Sequence, residues 1–180
     1  DTSLFGIGLA GTVNLIRNIF RWRKDGTGQI ATPFAEGGAF FRSTPDTSRP
    51  DLQIHFVVGI VDQHMRRLHL ADGFSAHVCV LRPGSRGHVG LQSANPADAP
   101  RIDPAFLSHP DDLALLMRGA RLTEAMLDSA ELVPWKGKRL YPHDGSDAGL
   151  EASIRAHADT IYPPVGTCRM GQDDMSVTDP

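Results

Sequence analysis

The stretch Thr160-Ile-Tyr-Pro-Pro-Val-Gly-Thr-Cys-Arg-Met-Gly171 restricts this chain more than any other. Its consecutive prolines fix two φ angles, remove two backbone N–H donors and push Tyr162 and Pro163 out of the α region into extended geometry. No helix can run through such a segment. Gly166 then permits a positive φ or a close approach, so the stretch is predicted to be a rigid extended loop that ends in a turn and aims its side chains by its backbone.

The elements ahead of the loop follow from hydrophobic period. Residues 11–22 carry Val13, Leu15, Ile16, Ile19 and Phe20 at helical spacing, with Arg17, Arg21 and Arg23 left for water, and the pattern stops at Asp25-Gly26 and Gly28. The apolar run Leu4–Ile19 is broken by Gly6, Gly8, Gly11 and Asn14, and its basic flank follows rather than precedes it. It is therefore predicted to be a buried amphipathic helix, not a signal or a membrane span. Residue 1 is not methionine and is read as internal to a longer gene product, so a targeting signal would lie in the part before it.

Ala35–Arg42, with paired glycines beside aromatics, is predicted to be a strand that another backbone or a ligand approaches closely. After the polar linker 43–50, Asp51–Ile60 alternates, with Leu52, Ile54, Phe56, Val58 and Ile60 on one face and Gln53 and His55 on the other. Gly73–Leu81 alternates likewise, Phe74, Ala76, Val78 and Val80 opposing Ser75, His77, Cys79 and Leu81. Pro83-Gly84 and Gly87 make a short connection to a third strand, expected to be an antiparallel neighbour. The Asn95-Pro, Ala99-Pro and Asp103-Pro steps are expected to break all regular structure.

The longest helix is predicted from His109-Pro110 to the neighbourhood of Ser129. Asp111 and Asp112 suit its N-terminal dipole, and Leu113, Leu116, Met117, Ala120 and Leu127 form its core stripe. A shorter helix, capped by Ser146 or Asp147, runs through Glu151, Ile154 and His157 to the loop. Residues 172–180 are expected to lead away from it.

Charge removes some functions. The 18 Lys and Arg against 21 Asp and Glu give a net charge of -3 without long single-sign runs, so neither nucleic acid nor a membrane surface is expected as a partner. Cys79 and Cys168 lie far apart without a C-x-x-C, which fits free thiols in a reducing compartment, with a single bridge left open. The eight histidines are scattered, so no zinc site is expected, and no G-x-S-x-G elbow is present. The chain is read as carrying no phosphate-cradling fingerprint of the G-x-G-x-x-G kind.

Two segments together resemble the glucose-methanol-choline (GMC) oxidoreductases. One is the loop, similar to T-x-Y-H-P-x-G-T-C-[KR]-M-G at Thr160, Tyr162, Pro164, Gly166, Thr167, Cys168, Arg169, Met170 and Gly171. The other is Arg82 to Pro104, similar to R-P-x-S-R-G-x-V-x-L-x-S-x-[DN]-P-x-x-x-P-x-I-D-P, a pattern long and irregular enough to be hard to obtain by chance. The departure from the family is Pro163, which stands where the family has its active-site histidine. A pyrrolidine ring has no titratable group. Three explanations stand: an inactive or altered relative, a substitution or error particular to this sequence, or another residue that does the histidine's work.

The resemblance implies an α+β fold, an antiparallel sheet with helices packed on one face, with the flavin-binding Rossmann part absent. It divides the chain into a substrate-binding domain, 1–158, and an active-site loop, 159–180, that leads towards the missing flavin-binding domain. It implies an FAD-dependent alcohol oxidoreductase passing hydride from a choline-like or other primary alcohol to flavin, with FAD in the full-length protein and none bound by this chain alone. No catalytic residue is intact at 163. Gln53, His55, Tyr162, Pro163 and Pro164 are expected to line the substrate pocket, and Val165, Gly166 and Thr167 to lie near the cofactor. His55 on its own reads more readily as an exposed or hydrogen-bonded sheet histidine; His157, six residues before Pro163, is expected to point elsewhere from its helix. Cys168 is expected to be a packed motif cysteine rather than a thiolate lowered by Arg169. The other expected partner is the missing flavin-binding part, with self-association of surfaces left bare. A cytoplasmic location is expected, with peripheral membrane association left open for the longer protein. A non-catalytic binding module of the same fold is the alternative; a purely structural domain is a third.

Overall fold

The computed structural model describes Gly6, residues 8–162 and residues 166–180. Helix α1 (Leu9–Asp25) forms where the period predicts it. Gly26 closes it in the left-handed conformation (φ 72°), its N–H donating to the Trp22 carbonyl at 2.8 Å, a cap that glycine adopts without a Cβ penalty. The expectation that it is buried is corrected. Val13, Ile16 and Phe20 are 50, 52 and 70% exposed along a stripe flanked by Arg17, Arg23 and Lys24. Period reveals that a helix has an apolar face, not what covers it.

The absence of a glycine fingerprint is also corrected. Gly6-Ile-Gly-Leu-Ala-Gly11 has the G-x-G-x-x-G spacing. It opens α1 with no strand ahead of it among the described residues, and Gly6 bridges Asp72 in antiparallel fashion. A Cβ at Gly6, Gly8 or Gly11 would lie 2.1, 3.2 and 2.2 Å from Asp72 Oδ1. These glycines make room for the carboxylate of Asp72, itself an exposed residue, at a helix N-terminus, where the dipole favours it.

Strands β1 (Ala35–Phe41), β2 (Leu52–Val57) and β3 (Ser75–Val80) form an antiparallel meander in that order. Helix α2 (Pro110–Leu127) packs on β3 and β2, and α3 (Asp147–His157) packs on α2, so the expected α+β arrangement is observed. The core joins Leu52, Ile54 and Val57 of the sheet to Leu113 and Leu150 of the helices. Strict alternation does not hold along the whole of β2. The register with β1 shifts between Ala35 and Gly37, Val57 is buried beside half-buried Phe56, and the strand ends there rather than at Ile60.

Gly119 is the tightest point between helix and sheet: a Cβ there would come within 2.8 Å of Val78 Cγ2 and 3.0 Å of Leu52 Cδ2. Gly119→Val is expected to destabilise the fold by about 1–3 kcal/mol through overpacking. A lowered urea midpoint at unchanged slope checks it; an unchanged midpoint contradicts this packing.

The connection after β3 differs from the expected hairpin. β4 (His88–Gly90) pairs not with β3 but with β5 (Arg101–Asp103), in a separate two-stranded ribbon inside the proline-rich segment. The cause is Asp112. Buried in the first turn of α2, its carboxylate accepts from Gly84 N–H (2.7 Å), Ser85 N–H (2.8 Å) and the Ser85 hydroxyl, which draws the Pro83–Ser85 turn onto the helix. Ser146 caps α3, its hydroxyl oxygen accepting from Gly149 N–H at 2.9 Å. Residues 172–180 do not lead away: Gly171 N–H donates to Thr178 O and Val177 N–H to Arg169 O, both at 3.0 Å, folding the end of the chain back.

Candidate functional site

Residues directly opposite each other in an antiparallel pair share a face. On the face of the sheet away from α2, one row is Gly38, His55 and His77, and the next is Phe40, Gln53 and Cys79. Gln53, His55, His77 and Cys79 are half-buried and Phe40 is exposed. A Cβ at Gly38 would meet the Ile54 carbonyl at 3.0 Å, so the close approach expected at the paired glycines is made by β2 itself.

The His55 and His77 side chains each hold a buried Nε2 with no hydrogen-bond partner among the described residues. Leaving a buried polar atom unpaired costs on the order of 1–3 kcal/mol. Burial first, then the neighbouring His55 and His64, hold the His77 imidazole below its ordinary range, which keeps it neutral near pH 7. Burial likewise pushes the Cys79 thiol up, against a backbone N–H from Gln53.

One flank of this face is a strained turn. Gln63, His64 and Met65 have φ of 45, 56 and 65°, three consecutive non-glycine residues in the left-handed region, at a cost of about 1–2 kcal/mol each. Two anchors hold it. Asp62, 6% exposed, accepts from His69 Nε2 and from the Tyr141 hydroxyl, each at 2.6 Å. Burial works to raise this carboxyl, but the bonds from Tyr141 and His69 outweigh it and hold it below the usual range. The second anchor is His64, whose Nε2 lies 3.0 Å from the Thr160 carbonyl and 3.4 Å from Asp159, and whose ring stacks on Tyr162 with centroids 4.3 Å apart. The start of the double-proline loop is thus tied to a turn close enough to act on His77.

Gln53 and His55 occupy the expected face, and His77 joins them. Tyr162, 65% exposed, is not extended but left-handed at φ 80°. A following proline disfavours the right-handed α region only, and here the Tyr162 N–H donates to Thr160 Oγ1 at 3.0 Å while the ring rests on His64. Pro163, Pro164 and Val165 lie outside the described residues. Gly166 takes the positive φ anticipated for it, 113°, and Thr167 is exposed. Cys168 is an exposed free thiol rather than a packed one, and Arg169 pairs with Asp173. His157 has its Nδ1 2.7 Å from the Ser153 carbonyl and its ring on Tyr141, centroids 3.9 Å apart.

Asp62 and His64 carried no sequence signal, because the 58–72 segment has no period. His77 was legible by alternation, but only the register sets it opposite His55. Among the described residues no group of three or more metal-ligating side chains is placed to share an ion, and no helix is long and apolar enough to cross a membrane.

Residues 83–180 match the GMC oxidoreductase family. Over 172 residues the chain is 41% identical to an alcohol dehydrogenase [acceptor] of Pseudomonas putida, covering 94% of this chain and 30% of that protein. Mitochondrial choline dehydrogenase of Homo sapiens is 39% identical over 163 residues, covering 88% of this chain and 27% of that one. Among solved structures, pyridoxine 4-oxidase from Mesorbium loti superposes with a TM-score of 0.71 at 26% identity, over 81% of this chain and 30% of its own. A formate oxidase of Aspergillus oryzae RIB40 shares the fold, with a TM-score of 0.75 at 18% identity over 86% of this chain and 32% of its own. The chain spans less than a third of the length of these relatives.

Proposed function

We propose, since this chain belongs to the GMC oxidoreductase family, that it is the substrate-side portion of an FAD-dependent alcohol oxidoreductase acting on a primary alcohol. The observation that carries the reading is the polar sheet face bearing Gln53, His55 and His77, with the start of the double-proline loop tied beside it through His64 and Tyr162. The residues present fit one wall of a flavin site. Their buried imidazole Nε2 atoms are unpartnered among the described residues, whereas the glycine-rich turn at residues 6–11, whose spacing would suit a pyrophosphate, is filled by Asp72.

In this reading Val165, Gly166 and Thr167 back the cofactor and Gln53 and His55 orient the alcohol. When bound, FAD supplies the hydride acceptor, and the protein supplies position and proton handling. Pro163 supplies no proton handling, so turnover is slow, and the chain by itself is inactive because the nucleotide-binding part lies elsewhere. That same proline favours a second reading, a binding module that keeps the fold without catalysis.

The first test is spectroscopic. The full-length gene product that contains this chain is expected to purify with an oxidised-flavin absorbance spectrum, and the 180-residue chain without one. A well-folded, colourless full-length protein would overturn the oxidoreductase reading.

A further inference from the structure

Helix α1 is turned the opposite way to a helix that packs on a core. The side that meets its own chain carries Gly11, Asn14, Leu15 and Asn18, which are buried or half-buried. Asn18 fastens that side to the 3₁₀ turn Gln29–Ala31. Its Oδ1 accepts from the Gln29 N–H at 2.9 Å, and its Nδ2 donates to Gln29 Oε1 at 3.2 Å and to the Asn14 carbonyl at 2.8 Å. The large apolar residues face outward instead: Val13, Ile16 and Phe20 recur at helical spacing, and Ile19 beside them is 42% exposed. A core-facing helix buries its apolar stripe and leaves the amides to water.

Charge is segregated along with the apolar surface. Helix α1 holds four of the chain's 18 basic residues, Arg17, Arg21, Arg23 and Lys24, and one of its 21 acidic ones, Asp25. It therefore carries +3 while the remaining residues together carry -6. The whole-chain charge of -3 conceals that split. We propose that α1 is an interfacial helix, whose Val13, Ile16 and Phe20 enter the headgroup layer of an anionic membrane while its basic residues hold lipid phosphates.

The helix selects this occupant by its charge and its shape. At 100° per residue, Arg17 and Lys24 border the apolar stripe on one side and Arg23 on the other. Their long stems lie along an apolar layer while their charged heads reach phosphate. The Asn14 and Asn18 side stays on the protein, so the helix lies in the plane of the surface. A second copy of the chain would set +3 against +3, and like charges across an interface oppose docking. Each basic residue close to an anionic surface strengthens attachment by about fivefold, so the cations of α1 act together with its apolar stripe.

The experiment is co-sedimentation of the full-length protein with lipid vesicles. Vesicles of phosphatidylcholine and phosphatidylglycerol, roughly two to one, are compared with vesicles of phosphatidylcholine alone. The protein is expected to bind the anionic vesicles about 10-fold or more tightly than the neutral ones, and to be released as salt rises to about 0.5 M. Ile16→Ser with Phe20→Ser is expected to weaken binding to anionic vesicles about 10-fold or more, through lost apolar insertion. Arg17→Gln with Lys24→Gln is expected to weaken it about 10-fold on anionic vesicles and to leave the weak binding to neutral ones unchanged. Because these side chains are exposed, both double variants are expected to keep the wild-type unfolding midpoint.

No sedimentation with either vesicle, equal binding to both, or unchanged binding in either double variant overturns the proposal. The first of these is also the result expected if the true occupant is an acidic protein face. A lowered unfolding midpoint in Ile16→Ser with Phe20→Ser overturns it as well, because it shows that another part of the full-length protein covers the stripe. None of these readings involves flavin or alcohol, so they stand or fall apart from the oxidoreductase reading.

Discussion

Pro163→His in the full-length protein is expected to raise the rate of flavin reduction by an alcohol by about 10²- to 10⁴-fold. That is a barrier lowered by about 3–5 kcal/mol. The loop around this position matches the family's active-site segment at nine positions, Thr160 through Gly171, and departs from it where a histidine would take the hydroxyl proton. On the proposed function, a proline at this position offers no base to the alcohol's hydroxyl. Pro163→Ala serves as the control, since it relaxes the backbone without adding a base, and it is expected to leave the rate low. Stopped-flow absorbance of the anaerobic protein reads all three. If Pro163→His changes nothing while the protein keeps its flavin, residue 163 is not at the chemistry and the loop has been assigned the wrong role.

Asp112→Ala is expected to produce the largest loss of stability, about 3 kcal/mol. Three donors, Gly84 N–H, Ser85 N–H and the Ser85 hydroxyl, converge on this one buried carboxylate. Hydrogen bonds to a charged group are worth about 1.5–3 kcal/mol each, and the buried donors find no substitute in alanine. The loss is a large part of the 5–15 kcal/mol of a typical domain.

The pH dependence has a definite sign. Burial works to raise the Asp112 carboxyl, but the Ser85 hydroxyl and the Gly84 and Ser85 N–H groups outweigh it and hold it below 3.8. A depressed folded value means that the stabilisation is complete above the unfolded value near 3.8 and is lost as pH falls through the folded one. The wild-type chain is therefore expected to lose stability steeply on acidification below about pH 4, and Asp112→Ala to show a shallower acid limb. Denaturant unfolding at a series of pH values measures both. Parallel limbs in the two proteins would show that this carboxylate does not link the Pro83–Ser85 turn to α2.

Much of this fold was legible because its determinants are local. Alternation marked β2 and β3, the His109-Pro110-Asp-Asp start marked α2, and Gly26 marked the end of α1. What escaped the sequence depends on partners remote in the chain. Asp112 looked like a dipole residue, and nothing local revealed that it would reach Gly84 and Ser85 and turn an expected hairpin into a separate ribbon. The glycines at 6, 8 and 11 carry a nucleotide-binding spacing, yet their neighbour is Asp72, some sixty residues on. The exposed stripe of α1 has the period of a buried helix, and period is silent about exposure.

The candidate site divides the same way. Gln53 and His55 followed from alternation and Gly166 from its freedom at positive φ. His77, His64 and Asp62 needed the register and the folded course of the irregular 58–72 segment. Tyr162 departs from the extended geometry expected of it because a proline constrains the residue before it only by exclusion, and the contact with His64 selects among the conformations that remain.

The central claim is that the Gln53, His55 and His77 face, with the loop from Thr160, is the wall of a flavin site at which an alcohol is held. Anaerobic addition of a primary alcohol to the full-length protein carrying Pro163→His measures this most directly. The flavin absorbance is expected to bleach with a rate that saturates in alcohol, and His77→Phe in the same background is expected to shift the half-saturating concentration upward. A flavin that stays oxidised with every alcohol tried, or a saturation curve indifferent to His77, would contradict the account.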